Sequence, residues 1–150
     1  MSQLIYPFWA LAAGIMIAAQ ALVNAKLGQF VGGPVWAALV SFVVGTIAIM
    51  IFMVIMRIKI PEVQTDQLQW WMFLGGVMGA VFVITSITVV PHLGMMAMVA
   101  LFIAGQLIGA TLLDHYGILM PEPKPITFQK LVGIGVLALG AYLVLSKSRF

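Results

Sequence analysis

QLQWWMFLGGVMGAVFVITSITVVPHLGMMAMVALFIAGQLIGATLL, residues Gln67 to Leu113, runs for 47 residues without a formal charge. A helix crossing a bilayer takes about 20 mostly apolar residues. The stretch is too long for one crossing and right for two. Proline and glycine punctuate it at Pro91-His92-Leu93-Gly94, which predicts helices over about 68–90 and 94–113. A membrane-spanning strand alternates in polarity over about ten residues, and these segments are apolar on every face. Only helices and closed barrels satisfy the backbone inside lipid, so the chain reads as helical.

Outward from this stretch the pattern repeats. Helices are predicted over about 3–26 and 34–56, with Pro34 suited to a first helical turn. Residues 57–69 hold Arg57, Lys59, Glu62 and Asp66 and form a surface loop. Residues 114–129 form a second loop, whose Pro121-Glu122-Pro123-Lys124-Pro125 is too proline-rich for helix and reads as extended. A fifth helix follows over about 130–146. The fold class is an all-α integral membrane protein with five transmembrane helices in one domain, 1–150. Composition agrees: 63% of residues are hydrophobic and 7% charged, with a mean hydropathy of +1.17. Ordinary soluble domains carry roughly 25% charged residues, and a fold of this size could not hide so much apolar surface from water. Cysteine is absent, which excludes disulfides and thiolate metal sites. No basic region precedes the first apolar run, which reads as a retained first helix.

The net charge of +3 does not indicate nucleic acid, because the seven Lys/Arg are scattered among helix ends. Five crossings put the termini on opposite faces. The N-terminal face then carries Arg57, Lys59, Lys124 and Lys130, and the other face carries Lys26, Lys147 and Arg149. Orientation follows the Lys/Arg bias of short loops, and four against three is nearly balanced. All four acids lie on the N-terminal face and would tilt a net-charge argument the other way. The expectation is dual topology and an antiparallel homodimer; a fixed orientation decided by one or two charges is the alternative.

Small residues at four-residue spacing permit close helix packing in lipid: Ala10, Gly14 and Ala18, then Ala37, Ser41 and Gly45, then Gly75 and Gly79, then Gly105 and Gly109. Polar side chains inside a membrane are costly unless partnered and are candidates for function. Gln20 and Asn24, four apart, share a helix face. Counted from the predicted helix ends, Gln20 lies about 9 Å deep and Ser41 about 10 Å, so they could line one cavity. Trp36 sits close by as a candidate wall, although an interfacial anchor is its ordinary role. Gln106 lies near the midplane. The candidate substrate-binding set is Gln20, Asn24, Trp36, Ser41 and Gln106. Lys26, Asp114 and His115 are the candidate gate or inter-subunit pair, since Lys26 and Asp114 of antiparallel copies would share one face. Each also has a plainer reading: interhelical bonds for the glutamines, a helix cap for Asn24, snorkelling for Lys26, a helix end for Asp114-His115. Thr85, Thr88 and Thr111 are expected to bond to their own helices. No catalytic residues, metal site or cofactor is predicted. No Asp or Glu sits deep in any span, which argues against coupling through a mid-membrane carboxylate.

Three stretches carry a resemblance: QALVNAKLG at 20–28, PVWAALVSFVVGT at 34–46, and VPHLG at 90–94 continuing through AGQL at 104–107 and LDHYG at 113–117. The chain resembles the YdcZ-like family of the drug/metabolite transporter superfamily over nearly its whole length. Similar chains often carry Arg where this one has Lys26, which is a softer partner for anions or headgroups. The resemblance implies a five-helix half-unit of a ten-helix inverted transporter that dimerises, plausibly antiparallel. Its expected place is the inner (plasma) membrane, as a multi-pass protein.

The leading expectation is therefore a small-molecule transporter working as a homodimer by alternating access, with a midplane cavity. Its partners are a small-molecule substrate, membrane lipid and a second copy. An accessory or structural subunit without transport of its own is the alternative, since the small-residue stripes suit it as well. An enzyme is not expected. His92 and His115, the two histidines, fall on opposite faces of the predicted topology, and no nucleophile and base stand near each other.

Overall fold

The computed structural model describes residues 5–61, 65–117 and 125–147 of the chain. Five helices make up nearly all of it: α1 (Ile5–Val31), α2 (Pro34–Ile55), α3 (Leu74–Leu93), α4 (Met95–Tyr116) and α5 (Phe128–Lys147). No strand occurs among the described residues. Four helical segments, Ile5–Val31, Pro34–Ile55, Trp70–Leu93 and Met95–Tyr116, are long and apolar enough to cross a membrane. In α5 the apolar stretch Phe128–Val144 is shorter. Glu62 and the Pro121–Lys124 part of the expected extended segment lie outside the described residues.

Helix ends follow backbone chemistry more closely than apolar runs do. α1 continues past the predicted end at Lys26 to Val31, and the break falls at Gly32-Gly33. Both glycines have positive φ, +92° and +114°, and the Gly33 N–H donates to the Gly28 carbonyl at 2.9 Å. This six-to-one bond closes a helix end through a left-handed residue, for which glycine has no side-chain penalty. Arg57 closes α2 in the same way with φ +51°, while the Ile58 N–H reaches the Met53 carbonyl at 2.9 Å. The expected break at Pro91-His92-Leu93-Gly94 falls at its last residue rather than at Pro91. Pro91 sits in the last turn of α3, and Gly94, with φ +78°, makes the turn into α4. α3 starts at Leu74 rather than near 68, after a 3₁₀ turn over Trp70–Phe73, beside which the Trp71 indole N–H donates to the Gln69 side-chain oxygen.

The helices form two compact units, Met1–Pro91 and His92–Phe150. In the first, α1 lies along α2. Its core is Ala37, Ala38 and Ile87, flanked by Leu27, Val31, Val83 and Ile84. Gly28 lets α3 approach: a β-carbon there would stand 3.4 Å from Ile87 Cγ2. Phe42 packs over Gly79, its Cζ 3.5 Å from where a β-carbon would stand, an ordinary contact. In the second unit, α4 lies along α5. Among the described residues no large side chain is fully buried, whereas Phe8, Trp9 and Trp70 are about 70% exposed or more. Small residues inside and large apolar ones outside is the distribution expected where lipid is the solvent and close backbone approach supplies the packing.

Gly28→Leu should therefore push α3 off α1 and destabilise the first unit by about 1–3 kcal/mol, the usual penalty of overpacking. Thermal unfolding in detergent measures it; an unchanged midpoint would show that Ile87 does not seat on Gly28.

Candidate functional site

With α1 ending at Val31, its polar residues lie deeper than the apolar run suggested. Asn24 is seven residues from that end and Gln20 eleven, or about 10 Å and 16 Å along the axis. Ser41 is seven residues into α2, a matching depth of about 10 Å. The matched depths bring them together: Asn24 Nδ2 donates to Ser41 Oγ at 3.2 Å. Asn24 is 5% exposed, so this bond replaces the water the amide would otherwise need.

On its other side Asn24 meets α3. Asn24 and Ser86, with Ile17, Ala21, Phe82, Val83 and the exposed Gln20, line a half-open cavity of about 10 Å³. That is about the room one water requires, and three polar side chains can hold it. Ser86 is a residue the sequence reading passes over in favour of Thr85 and Thr88. It is buried at 3% exposure, and its hydroxyl donates to the Phe82 carbonyl at 2.7 Å. A spacing of residues 79, 83, 86 and 87 along the glycine-bearing face of α3 was the available signal for it. Thr88 and Thr111 bond to the carbonyls of Ile84 and Leu107 at 2.8 and 2.7 Å, each four residues back, as expected of hydroxyls in apolar helices. Thr46 does likewise to Phe42 at 2.8 Å.

The remaining first-unit candidates stand at the near end of the hairpin. Trp36 is exposed, with Cδ1 3.5 Å from where a β-carbon on Gly32 would lie. Lys26, still inside α1, places Nζ 5.4 Å from the Phe30 ring centroid, within cation–π range of about 6 Å.

Gln106, Asp114 and His115 belong to the second unit. Gln106 is exposed on α4 between Gly105 and Gly109, neither of which has an atom within 4 Å of a would-be β-carbon. Asp114 has a partner that sequence reading missed: Lys130 Nζ lies 3.4 Å from Asp114 Oδ2. His115 packs edge-on against Tyr116, ring centroids 5.1 Å apart. Two caps fix the ion pair in place. Gly117 ends α4 in the left-handed conformation, its N–H donating to the Asp114 carbonyl at 3.3 Å. Thr127 precedes α5 and its hydroxyl oxygen accepts the Lys130 N–H at 3.3 Å, an N-terminal cap.

Over residues 5–143 the chain matches the family described as "Putative inner membrane exporter, YdcZ", and it belongs to that family. It is 29% identical over 145 residues to Inner membrane protein YdcZ of Escherichia coli (strain K12), across 92% of this chain and 93% of that protein. No solved structure matches it. The chain is thus a multi-pass inner-membrane protein of a transporter family rather than of an enzyme family.

A double-mutant cycle on Asn24→Ala and Ser41→Ala should return a coupling of about 0.6 kcal/mol, up to about 1.7, the range of side-chain hydrogen bonds between membrane helices. It is read from unfolding in mixed micelles; additive single effects would mean that the bond is not made.

Proposed function

We propose that the chain exports a small molecule as an antiparallel homodimer working by alternating access, with Gln20, Asn24, Trp36, Ser41 and Gln106 lining the path. The observation that carries this reading is the Asn24–Ser41 bond, with Gln20 and Ser86 beside it. Asn24 and Ser86 are buried, Ser41 is half-buried and Gln20 is exposed beside them; polar groups at such depth are costly in lipid and are where transporters place their binding groups. Membership of a family of exporters supports the direction of transport.

The second copy is supported by what the single chain leaves open. Gly14, Gly45, Gly75, Gly105 and Gly109 all have nothing within 4 Å of a would-be β-carbon. Gln106 stands at the middle of α4 beside two of them, where a second copy could satisfy its amide. The near balance of Lys/Arg between faces supports insertion in both orientations. At the mouths, Lys26 and the Asp114–Lys130 pair are the charged groups. A Lys26–Asp114 pair between copies would have to draw Asp114 away from its own Lys130. The single domain 1–150 is kept as the functional half-unit, its fifth helix crossing despite its shorter apolar stretch.

Purified chain in liposomes should carry substrate unaided, and Asn24→Ala together with Gln20→Ala should lower flux at least ten-fold without loss of folded protein. Liposomes that move no member of a metabolite and drug panel would favour the accessory-subunit reading. Single cysteines placed at Glu62 and at Phe150 should both label from outside intact cells; labelling of only one of the two rules out dual insertion.

A further inference from the structure

The cleft between α4 and α5 is built from one face of each helix. Leu107, Ala110, Thr111 and Asp114 line it from α4, and Lys130, Gly133, Ile134 and Leu137 from α5. Each set follows the spacing of a single helix face, three and four residues apart. These are the rows that meet when two helices pack. Here they leave about 290 Å³ unfilled, at the lower edge of the range of small-molecule pockets, about 300–1,000 Å³. Ala110 and Gly133 are the reason: both are small, and no atom lies within 4 Å of a would-be β-carbon on Gly133.

One end of this apolar cleft carries the two charges. Asp114 lies two residues before the end of α4 and Lys130 two after the start of α5, at the level where spanning helices meet headgroups. Among the described residues the pair is only partly satisfied. Its 3.4 Å separation exceeds the roughly 2.7–2.9 Å of a close charge-assisted bond. An ammonium has three donors and a carboxylate about four acceptor sites, and the side chains make no other hydrogen bond among the described residues. Their exposures of 37% and 28% leave both reachable. Each charge also sits against the dipole of its own helix, an acid at a C-terminus and a base at an N-terminus. What offsets this is the neighbour: Asp114 faces the positive end of α5, and Lys130 the negative end of α4.

We propose that this cleft binds a zwitterionic phospholipid with a primary ammonium, of phosphatidylethanolamine chemistry. The lipid ammonium donates to Asp114, the phosphate accepts from Lys130, and the upper part of one acyl chain fills the space beside Gly133 and Leu137. Basic groups between membrane helices commonly take phosphate headgroups. The carboxylate beside the lysine is what selects a zwitterion: an anionic headgroup alone would leave Asp114 facing like charge, and a quaternary ammonium has no N–H to donate. The inference is independent of transport, since it needs neither a second copy nor the Asn24 cluster.

The test is lipid binding to the purified full chain in detergent, by native mass spectrometry, with lipids of identical acyl chains. Phosphatidylethanolamine should bind at least five-fold tighter than phosphatidylcholine or phosphatidylglycerol. Asp114→Asn and Lys130→Gln should each abolish the preference. Gly133→Leu leaves the ion pair but fills the cleft, and should weaken phosphatidylethanolamine at least five-fold; it decides the matter even if the charge variants fail to fold. Equal binding of the three lipids by the unaltered chain, or a Gly133→Leu variant that binds like it, overturns the proposal. So does competitive displacement by free leucine, which would assign the cleft to a soluble zwitterion with an apolar side chain.

Discussion

Lipid offers the backbone no hydrogen-bond partner, and the rest of the structure follows from that constraint. Each N–H and C=O in the hydrocarbon region must be satisfied inside its own helix. Uninterrupted helices are the outcome, and the chain leaves them only where a residue can close the end from within. Gly32-Gly33, Arg57 and Gly117 do so in left-handed conformations, and Thr127 does so with its hydroxyl. Side-chain hydroxyls obey the same rule. Those of Thr46, Ser86, Thr88 and Thr111 all return to carbonyls four residues back, which leaves them little donor capacity for anything else. Against that background Asn24 and Ser41 stand out, because they use each other across two helices.

The same solvent inverts the usual logic of a core. Burying a large apolar side chain gains little when the alternative is an acyl chain, so helices associate where their backbones come close. Alanines at 37 and 38 and glycines at 28 and 79 occupy the contacts of the first unit. Ile87 and Phe42 pack over the two glycines, 3.4 and 3.5 Å from where β-carbons would stand. Polar residues gain from this closeness: a 3.2 Å bond between short side chains on two helices needs backbones that approach closely.

The helical class and the number of helices were legible, since long charge-free runs have one solution in lipid. Helix ends were less so. Asn24 and Lys26 read as the close of α1, because polar residues usually mark an end. Both are accommodated inside it, one by Ser41 and the other over Phe30. Pro91 read as a break, but within the last turn it forfeits a single hydrogen bond, so the helix tolerates it. Residue counting from an end at Lys26 matched Ser41 with Gln20; with α1 ending at Val31 the matching depth belongs to Asn24, one turn further on. The partnership of Asp114 with Lys130 was not legible, because it depends on how α4 and α5 turn about their axes. Ser86 stayed hidden for a related reason: three hydroxyl residues within four positions, Thr85, Ser86 and Thr88, point different ways, and only packing selects the one that faces inward.

The two tightest connections carry a consequence for how the protein is made. Gly32-Gly33 joins α1 to α2, and Gly94 joins α3 to α4; positive φ at all three glycines disfavours any charged side chain there. Joints this short carry no formal charge of their own. Moving such a joint through the hydrocarbon region requires dehydrating a few peptide groups and no ammonium or carboxylate. These joints therefore give orientation nothing to act on, and the choice of face is left to the basic residues of the wider loops and ends.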